Sequence, residues 1–248
     1  MHHFFVDETQ INTSEKEIII TGSDVNHIKN VLRMKLNEQL LISDGKGNDY
    51  MSVIKEYTTD NKVIAGITEE QFQGTELPSK IYLFQGLPKS DKMELIIQKA
   101  VELGVYEIIP VATKRVVVKL DKKKETAKLV RWNAIAQSAA KQSRRSIIPE
   151  VNRVMSFKEA IDYAKTLDIN LIPYENYKDM SYTKEIISGI EQGKDIGIFI
   201  GPEGGFDESE VELAEGAGIK KISLGKRILR TETAGLMIIS VLMYKLEA

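Results

Sequence analysis

Residues 198–206, IFIGPEGGF, and residues 224–234, LGKRILRTETA, are the stretches on which the reading of this chain turns. The apolar run Ile196 to Ile200 stops at Gly201-Pro202-Glu203-Gly204-Gly205, so a buried strand delivers a glycine loop at its carboxyl end. That edge of an open α/β sheet is where ligands bind. The glycines bare the backbone and permit positive φ, while Pro202 fixes one φ and removes one donor. The second stretch repeats the pattern: strand Ile219 to Ser223, loop Leu224 to Arg230, then a helix that Thr231 is placed to cap and Glu232 opens with favourable charge. Together they predict one composite site; the plainer alternative is a pair of tight turns. Neither G-x-x-x-x-G-K-[ST] nor a helix-opening G-x-G-x-x-G is present, which disfavours an NTPase or a Rossmann dinucleotide enzyme.

Outward from these stretches the chain alternates. Strands are predicted at Ile81–Gln85, Glu107–Ala112, Glu150–Val154 and Asn170–Pro173, with helices at Asp91–Leu103, Lys123–Gln142, Phe157–Leu167 and Tyr182–Ile190. Such alternation predicts an α/β domain with a mostly parallel sheet. The final helix, Glu232–Leu246, is apolar on nearly every side and is expected to be buried all round, in its own core or against a second subunit. Trp132 reads as a core anchor. Residues 1–70 carry short strand-like runs between turns and one helix, Val25 to Met34, expected to be capped by Ser23 or Asp24; such spacing suggests a small β-barrel. Gln71 to Ser79, QFQGTELPS, separates the two patterns and sets the expected domains at residues 1–72 and 73–248.

With 248 residues, 42% of them hydrophobic and 28% charged, the chain reads as a globular protein of one large or two modest domains. The absence of cysteine excludes disulfides, thiolate nucleophiles and cysteine metal sites; three histidines leave little for zinc, so no metal is expected. No membrane span and no signal peptide is read, and a cytoplasmic location is expected. The net charge of −2 hides asymmetry: Val111 to Arg153 holds twelve Lys/Arg against three Asp/Glu, while Met1 to Thr75 holds seven against twelve. Local basic density favours a polyanion partner; a solvated helix face is the alternative. Lys114, Arg115 and Lys119 are placed on a strand-like segment, Lys122 to Lys124 on a turn, and Arg144 and Arg145 past a helix. His27 reads as structural, Arg33 as a phosphate-contact candidate.

IGPEGGF followed by LGKRILRTETA resembles the C-terminal signature of the RsmE family, SPOUT-class methyltransferases that methylate N3 of a uridine in small-subunit (16S) ribosomal RNA. KSDKMELIIQKAVELGV (Lys89 to Val105), RWNAIAQSAAKQSRR (Arg131 to Arg145) and HIKNVLRMK (His27 to Lys35) agree with it, so the resemblance covers nearly the whole chain. The chain has His3 where the family usually has Arg, and Asn37-Glu38 where it usually has Gly-Asp. The resemblance implies a PUA-like RNA-binding barrel, a SPOUT-type parallel sheet whose C-terminal end threads a trefoil knot, and a homodimer. It also implies S-adenosylmethionine held among three loops: Pro173, Tyr174 and Glu175; Ile200, Gly201, Pro202, Glu203, Gly204 and Gly205; Leu224, Gly225, Ile228, Leu229 and Arg230. Lys89, Lys92, Arg33, Arg115, Lys119, Arg144 and Arg145 are the expected RNA contacts on the small subunit.

Transfer to uridine N3 requires loss of its proton, and the resulting charge spreads onto both flanking oxygens. Arg230, beside the cofactor loop at a helix start, is the expected catalytic cation; it cannot be the base. Glu203 is the expected carboxylate for orientation or proton acceptance, with Glu232 behind it. An ion pair of Arg230 with Glu203 or Glu232 that merely orders the loops is the alternative, and Arg227 reads as a surface or phosphate contact. Rival readings are a SPOUT enzyme acting on a ribose 2′-oxygen, a non-catalytic ribosome-assembly factor, and a nucleotide-binding enzyme.

Overall fold

The computed structural model describes residues 1–71, 74–116 and 121–247. The chain divides into two compact units, Met1–Glu76 with Ala140–Ile148, and Leu77–Ala139 with Pro149–Ala248. The boundary expected between residues 72 and 73 lies outside the described residues.

In the first unit, strands β1 (His2–Phe5), β2 (Ile11–Asn12), β3 (Glu17–Ile20), β4 (Gln39–Ser43), β5 (Asp49–Tyr57) and β6 (Val63–Glu70) form one sheet in the order β1-β4-β5-β6-β3-β2. Only the β1–β4 pair is parallel. Its apolar face gathers Phe4, Ile18, Ile20, Leu40, Ile42, Ile54, Val63 and Ala65 over the helical segment that carries Val25 and Ile28. That segment is not the single capped helix expected. Helix α1 (Ser23–Asn26) starts after Gly22 without a side-chain cap and widens into a π-type turn at His27–Val31. Asp24 is instead paired with Lys141 at 3.0 Å. Asn37 sits at φ 68°; Asn tolerates this left-handed region better than most side chains.

The returning segment Ala140–Ile148 is fastened to this unit by buried polar groups. Glu76 accepts from Arg145 Nε at 3.1 Å and from the Ser146 N–H at 2.9 Å. Ser146 Oγ donates to Asp49 at 2.5 Å, and Asp49 also bonds Ser43, which bonds His3 Nε2 at 2.7 Å. Arg145 is only 3% exposed, so the expectation of an RNA contact there is corrected: its charge is spent on Glu76. Removing one partner of such a buried pair costs about 3–5 kcal/mol.

Among the described residues the second unit is built on seven parallel strands: β7 (Lys80–Gly86), β8 (Glu107–Ala112), β9 (Glu150–Val151), β10 (Met155–Ser156), β11 (Ile169–Pro173), β12 (Asp195–Ile200) and β13 (Lys220–Ile222). The main order is β10-β8-β7-β12-β11-β13, with β9 on β8. Helices α2 (Lys92–Glu102), α3 (Lys122–Ser143), α4 (Phe157–Ala164), α5 (Met180–Ser188), α6 (Glu208–Gly216) and α7 (Thr231–Leu246) connect or follow the strands. Strands covered on both faces read as continuous apolar runs, which is why β7 and β12 were legible. Phe84 and Phe199 stack at 4.3 Å and pack with Phe157 of α4 and Val211 of α6. The α2 stripe Met93, Ile96, Ile97, Ala100 and Val101 is buried, as its spacing predicts, and Trp132 is a buried anchor.

One expectation changes. Lys122 to Lys124 lie in the first turn of α3, because Asp121 accepts from the Lys124 N–H at 2.9 Å and so holds the turn in helical form. Helix α7 buries Gly235, Ile238, Ile239, Leu242 and Leu246, yet Tyr244 is 86% exposed and Met237 and Val241 are half-buried. Within one chain it is therefore covered on one side only. Among the described residues, no helix is long and apolar enough to cross a membrane.

β7 and β12 run in register from Lys80↔Asp195 to Gln85↔Ile200, so their carboxyl ends meet at one level. There Gly86 lies under the glycine loop: a Cβ on it would sit 2.7 Å from Pro202 Cδ and 2.8 Å from Pro202 N. Gly86→Ala is expected to push the loop off the sheet and cost about 1–3 kcal/mol in urea unfolding, with helix content unchanged by circular dichroism.

Burial lowers His3 from 6.5 to about 4, helped by the charges of Lys141 and Arg144 and opposed by its hydrogen bond to Lys141 O. The unfolded chain therefore takes up a proton near 6.5 that the folded chain refuses until about 4. Stability contributed by neutral His3 is complete above pH 6.5 and falls by about 3 kcal/mol as pH drops through that window. Comparing urea midpoints of the wild type and His3→Asn from pH 7 to 4.5 checks this; the variant is expected to lose less stability on acidification.

Candidate functional site

β11, β12 and β13 end side by side, with Pro173 in register with Ile222 and Leu171 with Ile198. Their loops therefore leave the carboxyl edge together and enclose a cavity of about 300 Å³. Pro173, Tyr174 and Glu175 line one side, Ile200, Gly201, Pro202, Glu203 and Gly205 the floor, and Leu224, Gly225, Ile228, Leu229 and Arg230 the other side. Of the expected cofactor contacts only Gly204 is not among the lining residues. Its carbonyl instead accepts from Arg115 Nη1 at 3.1 Å, and the guanidinium also lies 3.6 Å from Asp207.

Local chemistry explains the loop shapes. Gly205 N–H donates to Pro202 O at 2.9 Å, closing a turn whose Gly205 has φ 65°. A Cβ there would lie 3.1 Å from Glu175 Oε2, so the first two loops touch through a glycine. Gly225 has φ 109° with open space around it. Such backbone lets a flat ligand lie against main-chain groups.

The charges are unevenly paired. Lys92 Nζ stands 3.0 Å from Glu203 and 3.5 Å from Glu232. The Lys89 N–H donates to Glu203 at 3.1 Å, with Ser90 following at φ 57°. Desolvation would raise the Glu203 carboxyl, but backbone hydrogen bonds and the Lys92 ammonium outweigh it and hold it below the usual carboxylate range. The same contact raises Lys92. Glu203 is thus ionised at neutral pH and a weakened base. Arg230 has no ion pair and no side-chain hydrogen bond among the described residues, and it is exposed. The loop-ordering pairs considered for it are taken up by Lys92.

The remaining expected residues are dispersed. Arg33 and Arg144, both exposed and at φ 55° and 60°, belong to the first unit. Lys89, Lys92 and Arg115 belong to the second, near the glycine loop, and Lys119 lies outside the described residues. Sequence reasoning missed Lys178, Phe206, Ser223 and Ala234 in the cavity wall, and Lys92 as the partner of the carboxylates. It also misread Thr231. Arg230 occupies the cap position of α7 without a side-chain bond, and the Thr231 hydroxyl donates to Gly201 O at 2.6 Å. Its S/T-type cap signal was indistinguishable from this tertiary use. Among the described residues, no group of three or more His, Asp or Glu could hold a metal ion.

Comparisons with known proteins agree on one family. Residues 75–243 match the family model of the RNA methyltransferase domain, and residues 20–68 that of the RNA methyltransferase PUA domain. The chain is 39% identical to the Bacillus subtilis protein named ribosomal RNA small subunit methyltransferase E, covering all of this chain and 98% of that one. A protein of the same name from Mesomycoplasma hyopneumoniae is 36% identical, covering 97% and 98%. Among solved structures, ribosomal RNA small subunit methyltransferase E from Neisseria gonorrhoeae, bound to S-adenosyl methionine, superposes with a TM-score of 0.83 at 33% identity over 98% of this chain and 97% of that one. An α/β unit with a parallel sheet, a PUA-like unit before it, and relatives aligned from end to end place this chain in the RNA methyltransferase domain family.

Proposed function

We propose that this protein transfers a methyl group from S-adenosylmethionine to N3 of a uridine in 16S ribosomal RNA of the assembled small subunit. The observation that carries the proposal is the three-loop cavity with an unpaired arginine at its rim. The names of the end-to-end relatives and the cofactor in the Neisseria gonorrhoeae structure support it. The cavity residues fit that cofactor: glycine backbone at Gly201, Gly205 and Gly225 offers main-chain groups to a purine, and the apolar Ile200, Leu224 and Leu229 exclude water. When bound, the cofactor supplies a methyl group on a sulfonium.

The chain's own residues supply position and charge. Arg230 stabilises the uridinate through its oxygens. Glu203, tied to the Lys89 amide and Lys92, stays ionised and orients the loop; its lowered proton affinity disfavours it as the proton acceptor. Arg33 and Arg144 of the PUA-like unit, with Lys89, Lys92 and Arg115 near the cavity, are the proposed RNA contacts.

The SPOUT class and its trefoil knot are part of the same reading. They are supported by β13 lying beyond β11 while α7, which follows it, returns to α2, β7 and β12. So is a homodimer: α5 and α7 leave an apolar groove of about 660 Å³ walled by Met180, Ile187, Met237, Val241 and Tyr244. A cytoplasmic location follows from the ribosomal substrate.

The test uses small subunits and naked ribosomal RNA from a strain lacking the gene, incubated with the protein and methyl-labelled S-adenosylmethionine. Labelled N3-methyluridine in the particle sample is the expected result; a labelled ribose, or no label, overturns the assignment. Arg230→Ala is expected to lower transfer by roughly 10²–10³-fold while calorimetry shows cofactor binding retained, and near-normal turnover would remove Arg230 from the mechanism.

A further inference from the structure

The carboxyl end of β7 carries a fully buried glutamine directly beneath the cofactor cavity. Gln85 Nε2 lies 2.9 Å from Gly86 O and 2.9 Å from Thr231 Oγ1. Only an amide N–H can face a carbonyl, so the Gly86 contact dictates which way the side-chain amide points. Thr231 is 5% exposed; its Oγ1 accepts from Gln85 and therefore directs its single proton to Gly201 O, 2.6 Å away. The bonds run one way, from sheet to helix start to glycine loop.

The orientation has a cost. Gln85 Oε1 is buried and has no hydrogen-bond partner among the described residues. A buried acceptor left unpaired is destabilising, and a methionine would fill the same space without it. A side chain kept for packing alone would not need the amide.

We propose that Gln85 and Thr231 are positioning residues, which hold the Gly201–Pro202 peptide and the Arg230-bearing start of α7 in the arrangement that binds the cofactor. Gln85 does not line the cavity; Thr231 does, with its hydroxyl turned to Gly201 O. Gly201 lies in the cavity floor and Arg230 immediately precedes Thr231, so one hydroxyl fixes both cofactor loop and catalytic cation. The proposal rests on the cofactor assignment above.

The experiment is calorimetric titration of S-adenosylmethionine into the wild type, Thr231→Val, Thr231→Ser, Gln85→Met and the Gln85→Met/Thr231→Val double variant, with Tm recorded for each. Thr231→Val and Gln85→Met are each expected to raise Kd roughly ten-fold. The double variant is expected to match the singles, because a chain is broken once, and Thr231→Ser to stay within about two-fold of the wild type. Gln85→Met is expected to keep or raise Tm, since it deletes the orphan acceptor, so it remains informative if Thr231→Val is unstable. Unchanged Kd in both singles, additive losses in the double variant, or Kd losses that merely follow Tm would overturn the relay. Failure of the wild type to bind overturns the cofactor assignment instead, and that outcome is separate from every one above.

Discussion

The close approach of Pro202 to Gly86 is the constraint from which the site follows. With no room for a Cβ between them, the loop after β12 must lie flat on the end of β7. The parallel register of β11, β12 and β13 then brings the other two loops to the same edge. Parallel sheets offer this geometry generally. What is particular here is that Pro202 both rests on the end of β7 and lines the cavity floor, with Gly201 before it and Gly205 closing the turn.

A second division concerns charge. Two carboxylates and one ammonium stand together near the cavity: Lys92 lies 3.0 Å from Glu203 and 3.5 Å from Glu232, and the Lys89 amide adds to Glu203, while Glu232 Oε2 has no hydrogen-bond partner among the described residues. Arg230 is left out of this arrangement. An unpaired cation at a cavity rim costs little while exposed to water, and gains strength when a ligand excludes that water. The pairing of Lys92 is thus what keeps Arg230 available.

Much of this was legible from residue order. Apolar runs of β7 and β12, the 3.6-residue stripe of α2 and the loop glycines have local signals, because periodicity and φ preference are written in neighbouring residues. The misreadings share a cause: each depended on a partner far along the chain. Thr231 looked like a helix cap because nothing nearby reveals Gly201 O, thirty residues away. Arg145 looked like a basic surface residue because Glu76, sixty-nine residues earlier, is invisible to any window. The α1 region failed for a different reason: the turn widens at His27–Val31, and no side chain there announces an extra residue per turn. The α7 stripe was read correctly as apolar, but not which half of it one chain covers.

The discontinuity of the first unit bears on how the chain is made. Its sheet is complete once residue 70 exists, yet the partners of Glu76 and Asp49 at Arg145 and Ser146 come about seventy to a hundred residues later. During synthesis the nascent first unit therefore carries Glu76 without these donors, and Asp49 with Ser43 but not Ser146, until the end of α3 has left the ribosome. By then β7, β8 and α2 have also emerged. Completion of the N-terminal unit is thereby tied to progress of the one that follows, and the two are joined in time as well as in sequence.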